Sequence, residues 1–138
     1  MILMQRQKLQ VGLGMSNKQL RVMFVDDDVI TGKVMKRNCD SAGYACQIFT
    51  DAESCLNKFS QVGADLVITD LRMPGMNGFE LLSELRQVDV DIPVLGMTGY
   101  SSVENALEAM KNGASDFIKK PFNIVELTDK IVSVLGIN

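Results

Sequence analysis

The chain has 138 residues, of which 46% are hydrophobic and 22% charged, with a formal net charge of −3. This is the size and composition of one globular domain with its own core, and no apolar run approaches the about 20 residues that a membrane-spanning helix needs. The absence of histidine from the sequence excludes serine–histidine and cysteine–histidine catalysis, and it excludes histidine metal sites.

Charge and cysteine usage give expectations about location and partners. Residues 1–21 carry four basic side chains and no acid, whereas acids outnumber bases in the rest of the chain. An acidic body argues against direct nucleic-acid binding. No signal peptide is recognisable, so we expect a cytoplasmic protein with no membrane partner. Cys39, Cys46 and Cys55 lack the spacing of zinc or redox motifs and are expected to be reduced, half-buried thiols.

Five short apolar runs predict five β-strands, at residues 21–25, 45–49, 65–69, 93–98 and 116–120. Three of them are almost continuously apolar, which is typical of strands buried on both faces of a parallel sheet. The segment before them, residues 1–20, is treated as an N-terminal extension. Its stretch "LQVGLGM" alternates apolar residues with Gln and Gly. It is either an additional edge strand or pairing segment, or a frayed tail.

Helical patterns fill the gaps between the strands. Apolar residues step by three and four at Ile30, Val34, Met35, Cys39 and Ala42, at Val103, Leu107 and Met110, and at Ile124, Leu127, Ile131 and Val134. Capping residues stand three positions before a glutamate at Thr50, Asn77, Ser101 and Asn123, and glycines at helix ends are Gly43 and Gly113. Strand–helix alternation predicts a single parallel α/β sheet with right-handed crossovers.

Polar residues stand at the carboxyl ends of four of the predicted strands. The first strand ends in Asp26, Asp27 and Asp28, the third in Asp70, the fourth in Thr98, and the fifth in Lys120, which Pro121 follows. The carboxyl ends of parallel strands share one edge of the sheet, where ligands gather. Crowded carboxylates raise one another's pKa unless a cation neutralises them, and oxygen ligands of this kind suit Mg²⁺.

This set of side chains describes a site for a phosphoryl group. A metal and Lys120 would neutralise its charge, Thr98 would donate a hydrogen bond, and the Asp70 carboxylate would be the nucleophile that forms an aspartyl phosphate. Each residue alone has an ordinary alternative. Asp28 would be a helix N-cap, Lys120 a surface lysine, and Thr98 a strand-end hydroxyl bonded to backbone.

Four segments, "FVDDD", "LVITDLRMPGMNGFELL", "IPVLGMTGY" and "DFIKKPF", resemble the signature motifs of the response-regulator receiver domain. The resemblance runs from Arg21 to Gly136, and we expect residues 21–138 to form the receiver unit. It implies a doubly wound, flavodoxin-like sheet of five strands in the order 2-1-3-4-5, flanked by five helices. The printed chain ends two residues after Gly136, so both a stand-alone receiver and one excised from a longer regulator remain open.

The resemblance also implies roles for individual residues. Asp70 is similar in position to the phosphorylated aspartate, and Lys120 to the lysine that binds the phosphoryl group. Asp27 would bind Mg²⁺ directly and Asp26 through water, and the backbone carbonyl of Arg72 would be the third protein ligand. In this family pattern Thr98 and Phe117 are the switch residues, Pro121 is a cis-proline, and Asp28 starts the first helix. Arg72 and Tyr100 stand where family members control the approach of water.

The implied function is that of a phosphoacceptor in a two-component phosphorelay, which catalyses only its own phosphorylation and dephosphorylation. A sensor histidine kinase or a phosphotransfer protein would be the donor. An effector protein or a second copy of the chain would bind the face formed by the fourth helix, fifth strand and fifth helix, roughly residues 102–111 and 116–135. Two alternatives are an aspartate-nucleophile phosphatase and an interaction module that never gains phosphate.

Overall fold

The computed structural model describes residues 19–99 and 103–136. Within them, five parallel strands form one sheet: β1 (Arg21–Val25), β2 (Ala45–Phe49), β3 (Leu66–Asp70), β4 (Val94–Thr98) and β5 (Asp116–Lys119). Their order in space is β2-β1-β3-β4-β5, which confirms the predicted doubly wound sheet. The reversal of strand order beside β1 places the carboxyl ends of β1 and β3 side by side at the ligand-binding edge.

Five helices flank the described sheet: α1 (Val29–Ala42), α2 (Ala52–Val62), α3 (Gly78–Val88), α4 (Val103–Lys111) and α5 (Ile124–Leu135), of which the first four connect consecutive strands. Buried side chains of α1 and α5 pack on one face of the sheet, together with Phe24, Ile68 and Ile118. Buried side chains of α2, α3 and α4 pack on the other face. The core therefore has two apolar layers, and none of the described helices is both long and apolar enough to cross a membrane.

The helix ends match most of the predicted caps. Asn77 and Glu80 form a complete capping box at the start of α3, and Asn123 accepts a hydrogen bond from the Glu126 amide at the start of α5. Gly43 ends α1 in the left-handed conformation. The prediction for α2 is wrong by one residue, because Asp51 rather than Thr50 accepts the Ser54 amide hydrogen bond at 2.7 Å. Ser101 lies outside the described residues.

The buried faces of two helices differ from the prediction. Ile30, Val34 and Ala42 of α1 are exposed, and only Met35 and Cys39 of that set lie in the core. In α4 the large apolar residues Leu107 and Met110 are 60% and 42% exposed, whereas Ala106 and Ala109 are buried. The helix itself was predicted, but the small residues Ala106 and Ala109 make its close contact with the sheet, and its larger apolar side chains stay exposed.

Smaller differences concern strand ends and thiols. The third and fourth strands end in Asp70 and Thr98, as predicted, whereas Pro93 precedes β4 and β5 ends at Lys119, one residue before Lys120. The three cysteines are free and fully buried rather than half-buried. Ile124 of α5 is 41% exposed, so this helix contacts the core through Leu127, Ile131 and Leu135.

Candidate functional site

The three consecutive aspartates after β1 have three different environments. Asp26 is buried, at 1% exposure, and its Oδ1 accepts a hydrogen bond from the Asp28 amide at 2.9 Å. Asp27 is exposed at the rim. Asp28 caps α1, as predicted, by accepting from the Ile30 amide, and its other oxygen accepts from the Thr31 hydroxyl. The Thr31 and Ile30 hydrogen bonds hold the pKa of Asp28 below its ordinary value.

Asp70 lies beside Asp26 because β3 is hydrogen-bonded to β1. Its side chain is 13% exposed, and its Oδ1 accepts a hydrogen bond from the Arg72 amide at 3.2 Å. Gly78, the first residue of α3, packs against this turn. A Cβ atom at Gly78 would collide with the Asp70 carbonyl oxygen and lie 2.7 Å from the Leu71 Cα. A residue without a side chain is therefore required for α3 to begin against the Asp70 backbone.

Lys120 joins the two carboxylates. Its Nζ donates to Asp26 Oδ2 at 2.6 Å and to Asp70 Oδ2 at 3.0 Å. The Lys120 amide donates to the Thr98 carbonyl at 2.7 Å, which fixes the backbone at the base of this side chain. Burial alone would lower the pKa of Lys120, but the hydrogen bonds and charges of Asp26 and Asp70 outweigh burial and raise it. The lysine is a cation at neutral pH.

Asp26, Asp27 and Asp70 form a group of possible metal ligands. Each offers one carboxylate oxygen, and these oxygens all lie within 4.8 Å of one another. Oxygen donors of high negative charge suit a hard divalent ion such as Mg²⁺, which commonly takes one or two protein carboxylates and keeps several waters. The donor chemistry thus fits the predicted metal, and the Arg72 backbone follows Asp70 closely enough in the chain to lie at the same rim.

The two predicted switch residues lie on the same face of the sheet. Thr98 is the last residue of β4 and is 3% exposed. Phe117 in β5 is half-buried and stands opposite Gly96 in β4, two residues before Thr98. Since side chains two residues apart in a strand point to one face, Thr98 and Phe117 both face the α4 layer. The Lys120–Pro121 peptide bond is cis, as the resemblance implied.

Two residues at or near this region were missed by the sequence reasoning. Gly78 lies within the segment "LVITDLRMPGMNGFELL", yet its close approach to Asp70 is visible only once α3 has packed. Lys130 of α5 lies over the Phe117 ring, with its Nζ 5.6 Å from the ring centroid. No local sequence signal relates Lys130 to Phe117, because the contact depends on how α5 lies on the sheet. Tyr100, predicted to screen the site from water, lies outside the described residues.

An apolar groove of about 500 Å³ opens beside the lysine. Its walls come from the first half of α1 and from the segment after β5, and they include Ile30, Val34, Lys120, Pro121 and Phe122. Ile30 and Val34 are 73% and 51% exposed. The groove therefore places exposed branched side chains next to the charged site.

Comparison with known proteins gives a consistent result. Residues 22–132 match the family model described as the response regulator receiver domain. The transcriptional regulatory protein FixJ from Bradyrhizobium diazoefficiens is 38% identical over 114 residues, covering 83% of this chain and 56% of that protein. The DNA-binding transcriptional regulator NtrC from Klebsiella pneumoniae is 36% identical over 112 residues, covering 79% of this chain but only 24% of the relative.

The chain thus spans little more than half of one curated relative's length and about a quarter of the other's. Solved structures of single receiver domains are matched almost completely. A CheY-like receiver domain from Methanospirillum hungatei is 30% identical with a TM-score of 0.81, covering 86% of this chain and 95% of that one. The chemotaxis protein CheY4 from Vibrio cholerae is 29% identical with a TM-score of 0.81, covering 86% of this chain and 100% of that one.

Proposed function

Because the chain belongs to the response regulator receiver domain family, we propose that Asp70 accepts a phosphoryl group from a phosphohistidine on a sensor histidine kinase or a phosphotransfer protein. One observation carries the proposal. The Lys120 ammonium group binds Asp70 and Asp26 together, so a nucleophilic carboxylate, a second carboxylate and a fixed positive charge meet at one point. The receiver unit would comprise residues 21–138, with residues 1–20 as an extension.

The transfer step is a displacement at phosphorus. An Asp70 carboxylate oxygen forms the new bond to phosphorus while the phosphorus–nitrogen bond of the donor breaks, and its electron pair returns to the imidazole ring. Lys120 would then pair with the new phosphoryl oxygens, since its Nζ already lies 3.0 Å from Asp70 Oδ2. Asp26, Asp27, Asp70 and the Arg72 carbonyl would hold Mg²⁺. When bound, this ion supplies charge neutralisation for the transferring group.

The groove beside Lys120 supports a macromolecular donor. A protein that presents a phosphohistidine to Asp70 must lie over the rim of the site, and the exposed Ile30 and Val34 give it an apolar surface to cover. A small phosphate donor would reach Asp70 without touching this surface. The proposal therefore assigns the groove to the phosphoryl donor, and it assigns the output partner to a different face.

The output face in this proposal is formed by α4, β5 and α5. On α4, its exposed apolar side chains are Leu107 and Met110. When Asp70 gains phosphoryl oxygens, Thr98 would move toward them, and Phe117 would fill the space that Thr98 vacates. The two arrangements would be biased by their different contacts with the phosphoryl group. An effector protein or a second copy of the chain would recognise the new surface.

Intact mass spectrometry after incubation with acetyl phosphate and Mg²⁺ tests the proposal. The wild-type chain should gain the mass of one phosphoryl group, and Asp70→Asn should gain none. Asp91→Asn is the matched control, because Asp91 is an exposed aspartate in the α3–β4 connection. Labelling of the Asp70→Asn variant to the wild-type level would disprove the assignment.

The same samples separate the two alternatives. Sustained hydrolysis of a small phosphomonoester would indicate an aspartate-nucleophile phosphatase. Absence of any mass gain, with the fold intact, would indicate an interaction module that works without phosphate. Aspartyl phosphates hydrolyse in water, so the mass should be recorded soon after the donor is removed.

A further inference from the structure

Lys130 and Asp116 enclose the half-buried aromatic residue of β5. The Lys130 Nζ lies 5.6 Å from the centroid of the Phe117 ring and 3.0 Å from Asp116 Oδ2. The other carboxylate oxygen of Asp116 accepts a hydrogen bond from the Phe117 amide at 2.8 Å. A single ammonium group is therefore held beside the ring by the residue that precedes it in the strand.

The contact between Lys130 and Phe117 joins opposite faces of the sheet at its edge. Ile118 points into the layer that contains α5, so Phe117, its neighbour in β5, points into the layer of α4. Lys130 belongs to α5, yet its ammonium group lies over the Phe117 ring. This path is open because β5 is the last strand of the described sheet. The lysine thus connects the two layers at the place where the proposed output face lies.

The position of Phe117 makes this contact sensitive to the state of the site. Phe117 stands opposite Gly96, and Thr98 follows two residues later on the same face. Movement of the ring toward Thr98 would carry it along the sheet and away from the ammonium group. The ion pair between Lys130 and Asp116 does not require the ring, so it can persist when the ring moves. Only the contact between the cation and the ring is lost.

We propose that Lys130, held by Asp116, is a latch that keeps the Phe117 ring at the sheet edge until Asp70 is phosphorylated. The proposal rests on the switch described above and adds a residue that controls its resting position. Lys130 is a positioning residue, since its ammonium group binds Asp116 and the Phe117 ring and would act on the site only through Phe117. Its side chain is 38% exposed and that of Asp116 is 28% exposed, so the latch is weak enough to open.

The partial exposure of Lys130 sets the expected strength of its effect on the two positions of the Phe117 ring. A cation–aromatic contact at a partly exposed site should bias the two ring positions by roughly two- to fivefold. Removal of the positive charge should raise the population with the ring turned inward by that factor. It should also lower the concentration of a phosphoryl mimic that half-saturates the site by the same factor, because binding to a competent minor state is limited by its population.

The test is NMR of the full chain carrying isotope-labelled phenylalanine, with the Phe117 signal assigned through Phe117→Leu. Spectra are recorded during titration with beryllium fluoride in the presence of Mg²⁺. In Lys130→Met the Phe117 signal should move toward its saturated position before any mimic is added, and half-saturation should come earlier. Lys130→Arg keeps a cation and should behave as wild type. Lys130→Gln replaces the cation with a neutral polar side chain and should give the same result as Lys130→Met.

Lys36→Met is the matched control. Lys36 is an exposed lysine with an ion pair to Asp40 at 3.2 Å, and it lies on α1, away from β5. If Lys130→Met and Lys36→Met titrate alike while the wild-type Phe117 signal responds to the mimic, the latch is wrong and the proposed switch stands. If wild-type Phe117 does not move although Asp70 is labelled in the mass measurement, the switch and the latch both fail.

Discussion

Lys120 Nζ lies 2.6 Å from Asp26 Oδ2, although 94 positions separate the two residues in the chain. Asp26 is 1% exposed; the lysine is the counter-ion of its carboxylate, and the Asp28 amide donates a hydrogen bond to the other carboxylate oxygen. The same ammonium group binds Asp70. Lys120 is therefore the shared counter-ion of two carboxylates that come from two neighbouring strands.

Lys120→Met should destabilise the chain in the absence of divalent ions, because it leaves the buried Asp26 carboxylate without its cation. We expect a loss of about 1–3 kcal/mol in the free energy of unfolding, below the range for fully buried pairs because the lysine is 28% exposed. Added Mg²⁺ should stabilise the variant more than the wild type. Denaturant unfolding with and without Mg²⁺ measures both effects, and equal responses of the two chains would contradict the prediction.

Substitutions in the groove should slow phosphoryl transfer from a protein donor and leave transfer from a small-molecule donor unchanged. Ile30→Ser with Val34→Ser should slow transfer from a phosphohistidine protein by roughly tenfold, the effect of losing about 1.4 kcal/mol of interface energy. Transfer from acetyl phosphate should be unchanged. Val90→Ser is the control, because Val90 has the same 73% exposure as Ile30 but follows α3. If transfer from both donors is slowed equally, the substitutions act on the phosphorylation site and not on the docking of the donor protein.

The phosphorylated chain should lose its phosphoryl group slowly. Arg72 and Tyr100 are two residues beyond Asp70 and Thr98, and neither side chain readily acts as a base toward an attacking water. Arg72 also lies over the Phe79 ring, with its guanidinium carbon 5.9 Å from the ring centroid. Loss of the added mass over time should be faster in the Arg72→Asn, Tyr100→Glu double variant. Faster decay of the parent chain would overturn the shielding argument.

Leu107→Ser with Met110→Ser should weaken a phosphorylation-dependent association and leave the fold unchanged. The two side chains are 60% and 42% exposed, so their loss should change the free energy of unfolding by less than about 0.5 kcal/mol. Sedimentation of the chain with beryllium fluoride and Mg²⁺ measures self-association, and an effector can be tested by co-sedimentation. An association that persists in the double variant would place the output surface elsewhere.

The Cys55 thiol should make the free energy of unfolding fall as the pH rises into the alkaline range. Burial raises the pKa of its thiol to about 12, whereas an unfolded cysteine titrates near about 8.5. Between these values the unfolded chain binds fewer protons, so the thiol's contribution is complete below about pH 8.5 and is lost as the pH rises toward 12. Unfolding free energies from pH 8 to 10 should fall less steeply in Cys55→Ala. Parallel curves for the two chains would argue against this burial effect.

The sequence by itself determined the architecture and predicted which polar residues lie together at the carboxyl edge of the sheet. Apolar runs such as 66–68 predict buried strands because neither face has a polar side chain to present to water, and the alternation of strands with helices favours parallel pairing. Asp26, Asp70, Thr98 and Lys120 were predicted to meet because each follows or ends a parallel strand. Such positions converge in this class of sheet whatever the details of packing.

The tertiary structure alone decided which apolar face of α4 is buried, where Lys130 lies, and why residue 78 must be glycine. Periodicity shows that a helix has an apolar stripe, but the distance between helix and sheet selects Ala106 and Ala109 for the contact and leaves Leu107 outside. Lys130 reaches Phe117 only because α5 packs beside the open edge of β5. Contacts of this kind depend on the relative placement of whole elements, which no short stretch of sequence encodes.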